Sequence, residues 1–345
     1  MSPTVGAGAA GPRVSILLPC RDAAAYLPAA RASLEAQTLR DYEVVAVDDG
    51  SRDATPALLE AWAAADPRVR VLHTPPRGLP AALACALEEA RGDVVARMDA
   101  DDVAHPRRLE RQVAFLDAHP EIAACGTRVR YFPRSAVRDG ARRYERWLNA
   151  LTGPDELARD IFVECPLAHP TLAARRAALL AVGGYRDPGW PEDYDLVLRL
   201  WAAGHRLANV PEILHRWRER PDRASRTDPR YAPDAFRRCK VHYLRETLLR
   251  GRDGAVVWGA GPTGKAFARE LLRQGVPVRA FVELDPRKLG QTIHGAPVVP
   301  PQEAERWHGR ALVLAAVGAP GARAEIRARL RAAGWREPEE FCAVA

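Results

Sequence analysis

The chain has 345 residues, more than one compact core usually fills, so two domains are expected. With 47% apolar and 28% charged residues it has a globular composition, and no apolar run is long enough to span a bilayer. Net charge is +7, but the basic excess is nearly all arginine, with lysine only at Lys240, Lys265 and Lys288. Together with the many Ala and Pro residues this reads as coding bias. Basic and aromatic residues do not interleave as in a single-strand reader, so a nucleic-acid partner is not expected.

Residues 1–12 read as a flexible small-residue tail without the basic-then-apolar pattern of a signal peptide, which gives an expected cytoplasmic location. Buried strands are predicted at Val14–Pro19, Glu43–Val47, Val69–Leu72 and Val94–Met98. Helices are predicted at Tyr26–Gln37, Thr55–Ala65 and Leu79–Ala90. Strand and helix alternate at βαβ spacing, so a mostly parallel sheet flanked by helices is the economical architecture. From Cys125 to Pro166 the pattern loosens and becomes Arg-rich. Helical spacing returns at Ala173–Val182 and Tyr194–Ala203, and Arg216–Pro233 reads as a polar linker or mobile segment. A helix from Pro233 to Arg250 then leads into a second βαβ start. The six cysteines are scattered without C-x-x-C spacing, so reduced core thiols are expected rather than zinc or disulfides.

Ligands of open α/β sheets bind at the carboxyl ends of the strands. Three polar turns fall there: Pro19-Cys20-Arg21-Asp22, Asp48-Asp49-Gly50-Ser51 and Asp99-Ala100-Asp101-Asp102. Five carboxylates on two neighbouring strand ends repel one another unless a cation sits between them. A hard ion bridging to phosphate, Mg²⁺ or Mn²⁺, suits that need. Taken singly, each turn also fits plain strand termination and helix capping.

The stretches VSILLPCRDAAAYL, SLEAQTLRDYEVVAVDDGSRD and GDVVARMDADDVAHPRRLERQ resemble the catalytic domain of family 2 glycosyltransferases, which have the GT-A fold. The resemblance covers residues 13 to 127. It implies that Asp49 contacts the donor base, with Pro19 and Asp22 also on the nucleotide side. It implies too that Asp99 contacts ribose and that Asp101, helped by Asp99, holds the metal. Asp22 is a departure, since relatives often carry Asn there. Downstream, Gly183-Gly184-Tyr185 followed by Glu192-Asp193 matches the family segment whose Asp is the usual base in inverting members. That implies Asp193 as the catalytic base with Glu192 beside it, although either residue could simply cap the following helix. His169-Pro170-Thr171 and Trp217-Arg218 match further family elements. Where many relatives have His, this chain has Arg220; Arg218 and Arg220 are expected on the donor diphosphate.

The implied activity is metal-dependent, inverting transfer from a nucleotide-sugar to a saccharide or lipid-linked acceptor, in polysaccharide or glycolipid synthesis. The arginines between Arg128 and Arg146 are candidates for an anionic membrane face, or are a plain solvated surface. A sugar nucleotidyltransferase, or a scaffolding protein with an inactive transferase half, are the alternatives. The expected domains are a GT-A unit at residues 13–225, a linker and connecting helix at 226–252, and a smaller Rossmann-like unit at 253–345. In the last, Ala255–Trp258 followed by Gly259-Ala260-Gly261-Pro262-Thr263-Gly264 reads as strand, glycine turn and helix start, and Val278–Val282 ends at Glu283. Gly259, Gly261, Gly264 and Glu283 are thus candidates for a nucleotide loop, against a domain kept for packing or docking.

Overall fold

The computed structural model describes residues 11–345, so the tail expected at residues 1–12 lies almost wholly outside the described residues. The chain forms two compact units that interleave along the sequence. The first holds residues up to 154, 167–187 and 203–223; the second holds 155–166, 188–202 and 224–345.

In the first unit, β1 (Val14–Cys20), α1 (Leu27–Glu35), β2 (Tyr42–Asp49), α2 (Thr55–Ala65), β3 (Val69–Thr74), α3 (Leu79–Glu89) and β4 (Val94–Arg97) alternate as the periodicity predicts. Strands β3, β2, β1 and β4 pair in parallel. Both β1 and β2 are buried over their whole length, as expected when helices cover both faces of a sheet. Each of the three helices has Pro in its first turn, where the missing N–H costs nothing.

After β4 the sequence is harder to read. β5 (Val103–Ala104), α4 (Arg108–Ala118), β6 (Ile122–Phe132), α5 (Asp139–Ala150) and α6 (Pro154–Asp160) follow. The loosened stretch from Cys125 therefore holds most of a long strand and two helices. β7 (Ala173–Arg175) and α7 (Arg176–Ala181) correct the single helix expected at Ala173–Val182. α8 (Glu192–Ala202), β8 (Arg206–Arg218) and α9 (Ala224–Thr227) come next, so the supposed linker begins as strand. β8 was hidden by Pro211, which argues against a strand interior. The register of β8 against β6 jumps there, so that Pro211 sits in a bulge. The sheet order is β3-β2-β1-β4-β7-β6-β8-β5, with β7 antiparallel to β4 and β6, and β5 antiparallel to β8.

At the β2–β3 edge, His73 lies between Asp48 on β2 (3.3 Å) and Glu60 on α2 (2.6 Å). Glu60 and then Asp48 raise its pKa. A raised histidine pKa stabilises the fold fully below the unfolded value of about 6.5, and this is lost as pH rises through the folded value. His73→Asn is therefore expected to lower the melting temperature at pH 6 but not at pH 8.5. An equal deficit at both pH values would show that the pairing is not the cause.

The second unit contains α8 and α10 (Pro233–Glu246), then β9 (Ala255–Trp258), α11 (Pro262–Arg273), β10 (Val278–Val282), β11 (Thr292–Ile293), β12 (Ala296–Val299), β13 (Leu312–Ala315), α12 (Ala322–Ala332) and β14 (Phe341–Ala343). Its sheet runs β11-β12-β10-β9-β13-β14, parallel apart from the β11–β12 pair. Lys240 of α10 is buried, with its ammonium donating to the carbonyls of Val163 (2.7 Å) and Val344 (3.1 Å). No disulfide joins the six cysteines, five of which are buried. No helix among the described residues is long and apolar enough to cross a membrane.

Candidate active site

Asp99, Ala100, Asp101 and Asp102 form the turn between β4 and β5. β5 pairs with the end of β8, Val103 opposite Arg216 and Ala104 opposite His215, which lays the acidic turn against Arg218. One oxygen from each of Asp99, Asp101 and Asp102 lies within 4.8 Å of the others. Asp99 pairs with Arg97 at 2.6 Å. Asp102 is 1% exposed and accepts from the Arg218 backbone N–H (2.7 Å). Its second oxygen lies 2.8 Å from His215 Nε2. Arg108 Nη1 faces His215 Nδ1 at 3.3 Å, and a guanidinium can only donate. Nδ1 is therefore the acceptor, and Nε2 carries the proton given to Asp102. Burial, then the nearby Arg108 charge, holds the imidazole neutral by pushing its pKa down.

Burial, followed by the charges of Asp99 and Asp102, pushes Asp101 up to about 7. Asp102 is raised too, by burial and then by Asp99. Carboxylates that raise one another's pKa by crowding are those a cation relieves. The donors are all oxygen, which fits Mg²⁺ or Mn²⁺ better than a softer metal.

Arg220 crosses the front of this cluster. Its Nε is 3.1 Å from Asp101 Oδ2, but the group is not aligned for a hydrogen bond, so the contact is one of charge alone. The Arg220 guanidinium rests 5.0 Å from the centre of the Tyr26 ring, as Arg218 does at 4.9 Å. Arg218 also covers Phe132 at 4.5 Å and donates from Nε to the Asp101 carbonyl at 2.6 Å. Pro19, Asp22, Tyr26, Asp99, Asp101 and Arg220 line one cleft of ≈ 110 Å³. That is below the ~300–1,000 Å³ usual for ligand clefts. Arg220→Ala is expected to weaken nucleoside-diphosphate affinity about tenfold, the worth of one charge-assisted contact. Unchanged affinity by calorimetry would remove Arg220 from the diphosphate site.

The second acidic turn is committed largely to backbone. Asp49 is buried and accepts from the N–H groups of Arg77 (2.7 Å) and Gly78 (2.9 Å), with Arg21 at 3.3 Å. It thereby sets the loop that enters α3. Gly50 has φ +68°, and a Cβ there would meet Pro76 at 2.8 Å, so glycine is required. Asp22 itself is left-handed at φ 47°, a conformation Asp and Asn tolerate. Its carboxylate accepts from Arg52 N–H at 2.7 Å, and its own N–H donates to Ser51 Oγ at 3.0 Å.

Asp193 and Glu192 open α8 in the second unit. Asp193 is half-buried and accepts from the N–H of Tyr194 at 2.7 Å. Glu192 is fully buried, with both oxygens 2.8 Å from the Tyr231 hydroxyl. Asp195, one turn in, takes Trp190 Nε1 (3.0 Å), the Tyr243 hydroxyl (2.7 Å) and Arg199 Nε (2.8 Å). In the same unit, Gly259 and Gly261 form the turn from β9 into α11, and Gly264 lies in the first turn of that helix. Glu283 at the end of β10 accepts from Ala260 N–H at 3.2 Å.

The sequence pattern described as "Glycosyl transferase family 2" matches residues 15–183. A putative glycosyltransferase of Bacillus subtilis, EpsE, is 33% identical over 257 residues, covering 70% of this chain and 89% of EpsE. The chain belongs to glycosyltransferase family 2. The amylovoran biosynthesis glycosyltransferase AmsE of Erwinia amylovora is 34% identical over 191 residues, 55% of this chain and 69% of AmsE. Among solved structures, S. aureus TarS 1–349 in complex with UDP-GlcNAc superposes with a TM-score of 0.56 at 20% identity, covering 76% of this chain and 72% of that one. That likeness shows the GT-A fold, an α/β architecture.

Three residues around the acidic turn of this family 2 glycosyltransferase carry no motif in the sequence, and a fourth, His215, takes a place there that its sequence context did not give. Arg97 and Arg108 reach it from β4 and α4, Tyr26 lies beneath the two arginines, and His215 backs Asp102. The strand alternation of β8 could have pointed to His215 and Trp217 on one face, had Pro211 not obscured it. Nothing in the sequence marked Tyr26.

Proposed function

We propose that the chain transfers a sugar from a nucleoside-diphosphate sugar to a hydroxyl of a saccharide or lipid-linked acceptor, with inversion at the anomeric carbon. The observation carrying this reading is the three-carboxylate turn set against Arg218 and Arg220 in a family 2 chain. Asp101 and Asp99 would hold Mg²⁺ or Mn²⁺, which neutralises charge on a departing diphosphate. Asp102 is spent on His215 and on Arg218, and so positions the turn and the arginine. Arg218 and Arg220 supply donors to the diphosphate oxygens. Asp22 and Asp49 shape the nucleoside side, Asp49 by fixing the loop at Arg77 and Gly78. Asp193 accepts the proton of the attacking hydroxyl while the bond from C1 to the diphosphate breaks. AmsE, named for amylovoran biosynthesis, supports a role in polysaccharide synthesis, and a lipid-linked acceptor would place the work at the cytoplasmic face of a membrane.

The test is calorimetric titration of UDP, GDP, dTDP and CDP, with and without Mn²⁺, on wild type and Asp101→Ala. One nucleotide is expected to bind in a Mn²⁺-dependent manner and to lose that dependence in the variant. Absence of Mn²⁺-dependent binding for all four would overturn the metal-assisted reading.

A further inference from the structure

The second unit contains a cavity that plays no part in the transfer just described. Its sheet reverses direction of growth at β9: β10 and β12 lie on one side, β13 and β14 on the other. Such a reversal opens a crevice beyond the carboxyl ends of the two strands that flank it. Here the crevice is a cavity of ≈ 450 Å³, a size that accommodates one nucleoside. Trp258, Val282, Leu284, Val317 and Ile326 give it apolar walls, and Glu283, Glu325 and Arg329 give it polar edges. Leu284, 57% exposed, forms the outer lip of the cavity.

The backbone around the cavity is tightly specified. Gly259 has φ +113°, and a Cβ there would meet Val317 Cγ2 at 2.6 Å on the cavity wall. A Cβ on Gly264 would fall 1.8 Å from the Gly259 carbonyl, so only glycine lets α11 pack this close to the turn. Gly261, between them, has nothing within 4 Å of its missing side chain, and no side chain caps α11. The turn is therefore closed on its inner side and open on its outer side. Glu283 faces the cavity at the end of β10; among its partners Lys288 (2.9 Å, 38% exposed) is the one a ligand hydroxyl could displace.

We propose that this cavity binds a mononucleotide, a nucleoside mono- or diphosphate, independently of the donor site. The base lies in the apolar slot between Leu284 and Ile326, the ribose hydroxyls reach Glu283, and the phosphate points to the open side of Gly261. A dinucleotide is disfavoured because a second three-strand half is needed to hold its other nucleoside, and only β13 and β14 lie beyond β9.

The experiment titrates the full-length Asp101→Ala chain, in EDTA, with AMP, ADP, GMP, GDP, UMP and UDP, so that Mn²⁺-dependent binding is absent. At least one nucleotide is expected to bind with Kd below about 100 μM, a modest −5.5 kcal/mol. In that background Ala322→Phe, which fills the cavity from the start of α12, and Glu283→Gln are each expected to weaken it tenfold or more. Wild type carrying Ala322→Phe should keep its Mn²⁺-dependent nucleotide binding, which shows that the protein is folded and separates this result from failure of the donor site. No binding across the six nucleotides, or binding indifferent to both variants, overturns the proposal.

Discussion

Asp193→Asn is expected to lower kcat by ~10²–10⁴, the range for loss of a general base, with nucleotide affinity and melting temperature unchanged. Asn keeps the shape and the oxygen that accepts from Tyr194 N–H, so the start of α8 should hold. What it cannot do is take a proton from the acceptor hydroxyl. A base used only in the chemical step shows its loss in kcat rather than in donor binding. A helix cap would behave in the opposite way, with lower thermal stability and little effect on turnover. Retention of wild-type kcat would remove Asp193 from the chemistry.

A second large effect is expected at Asp102. Its buried carboxylate receives the Arg218 N–H and the His215 Nε2–H. Truncation to Ala leaves two buried donors without acceptors, which costs about 3 kcal/mol. Asp102→Asn should cost less, because its carbonyl can still serve one donor while its amide opposes the other. Urea denaturation of the two variants measures this order directly. The Ala variant should also bind nucleotide more weakly, since Arg218 loses the contact that fixes its backbone. If Ala and wild type unfold at the same urea concentration, the His215–Asp102–Arg218 arrangement does not hold the turn.

β1, β2 and β4 were legible because burial on both faces leaves apolar runs, whereas β3, at the sheet edge and mostly half-buried, was marked by its alternation with the helices on either side. The acidic turns were legible for the same reason, as charge placed where the apolar pattern stops. β6 and β8 were not, because arginines alternate through them. Arg128 and Arg216 use their aliphatic or planar parts against backbone and ring, Arg216 lying 4.9 Å over Phe132 and Arg128 bonding the Asn149 carbonyl at 2.8 Å. A chain that uses arginine for structure blurs the signal by which polar residues announce a loop. His215 illustrates the cost: its neighbourhood in the sequence suits a metal or phosphate contact, whereas pairing β5 with β8 places it behind Asp102.

The clamp on α8 bears on how such a chain can be cut or recombined. Glu192 is held by Tyr231 and Asp195 by Tyr243, both encoded beyond residue 225. A fragment ending at 225 would keep every carboxylate assigned to the reaction and yet lose the hydroxyls that seat the helix bearing Asp193. A chimera that exchanges C-terminal halves between relatives would meet the same problem. A crossover after Glu246 would keep α8 with its tyrosines, but it would cut the second unit and part Lys240 from the Val344 carbonyl.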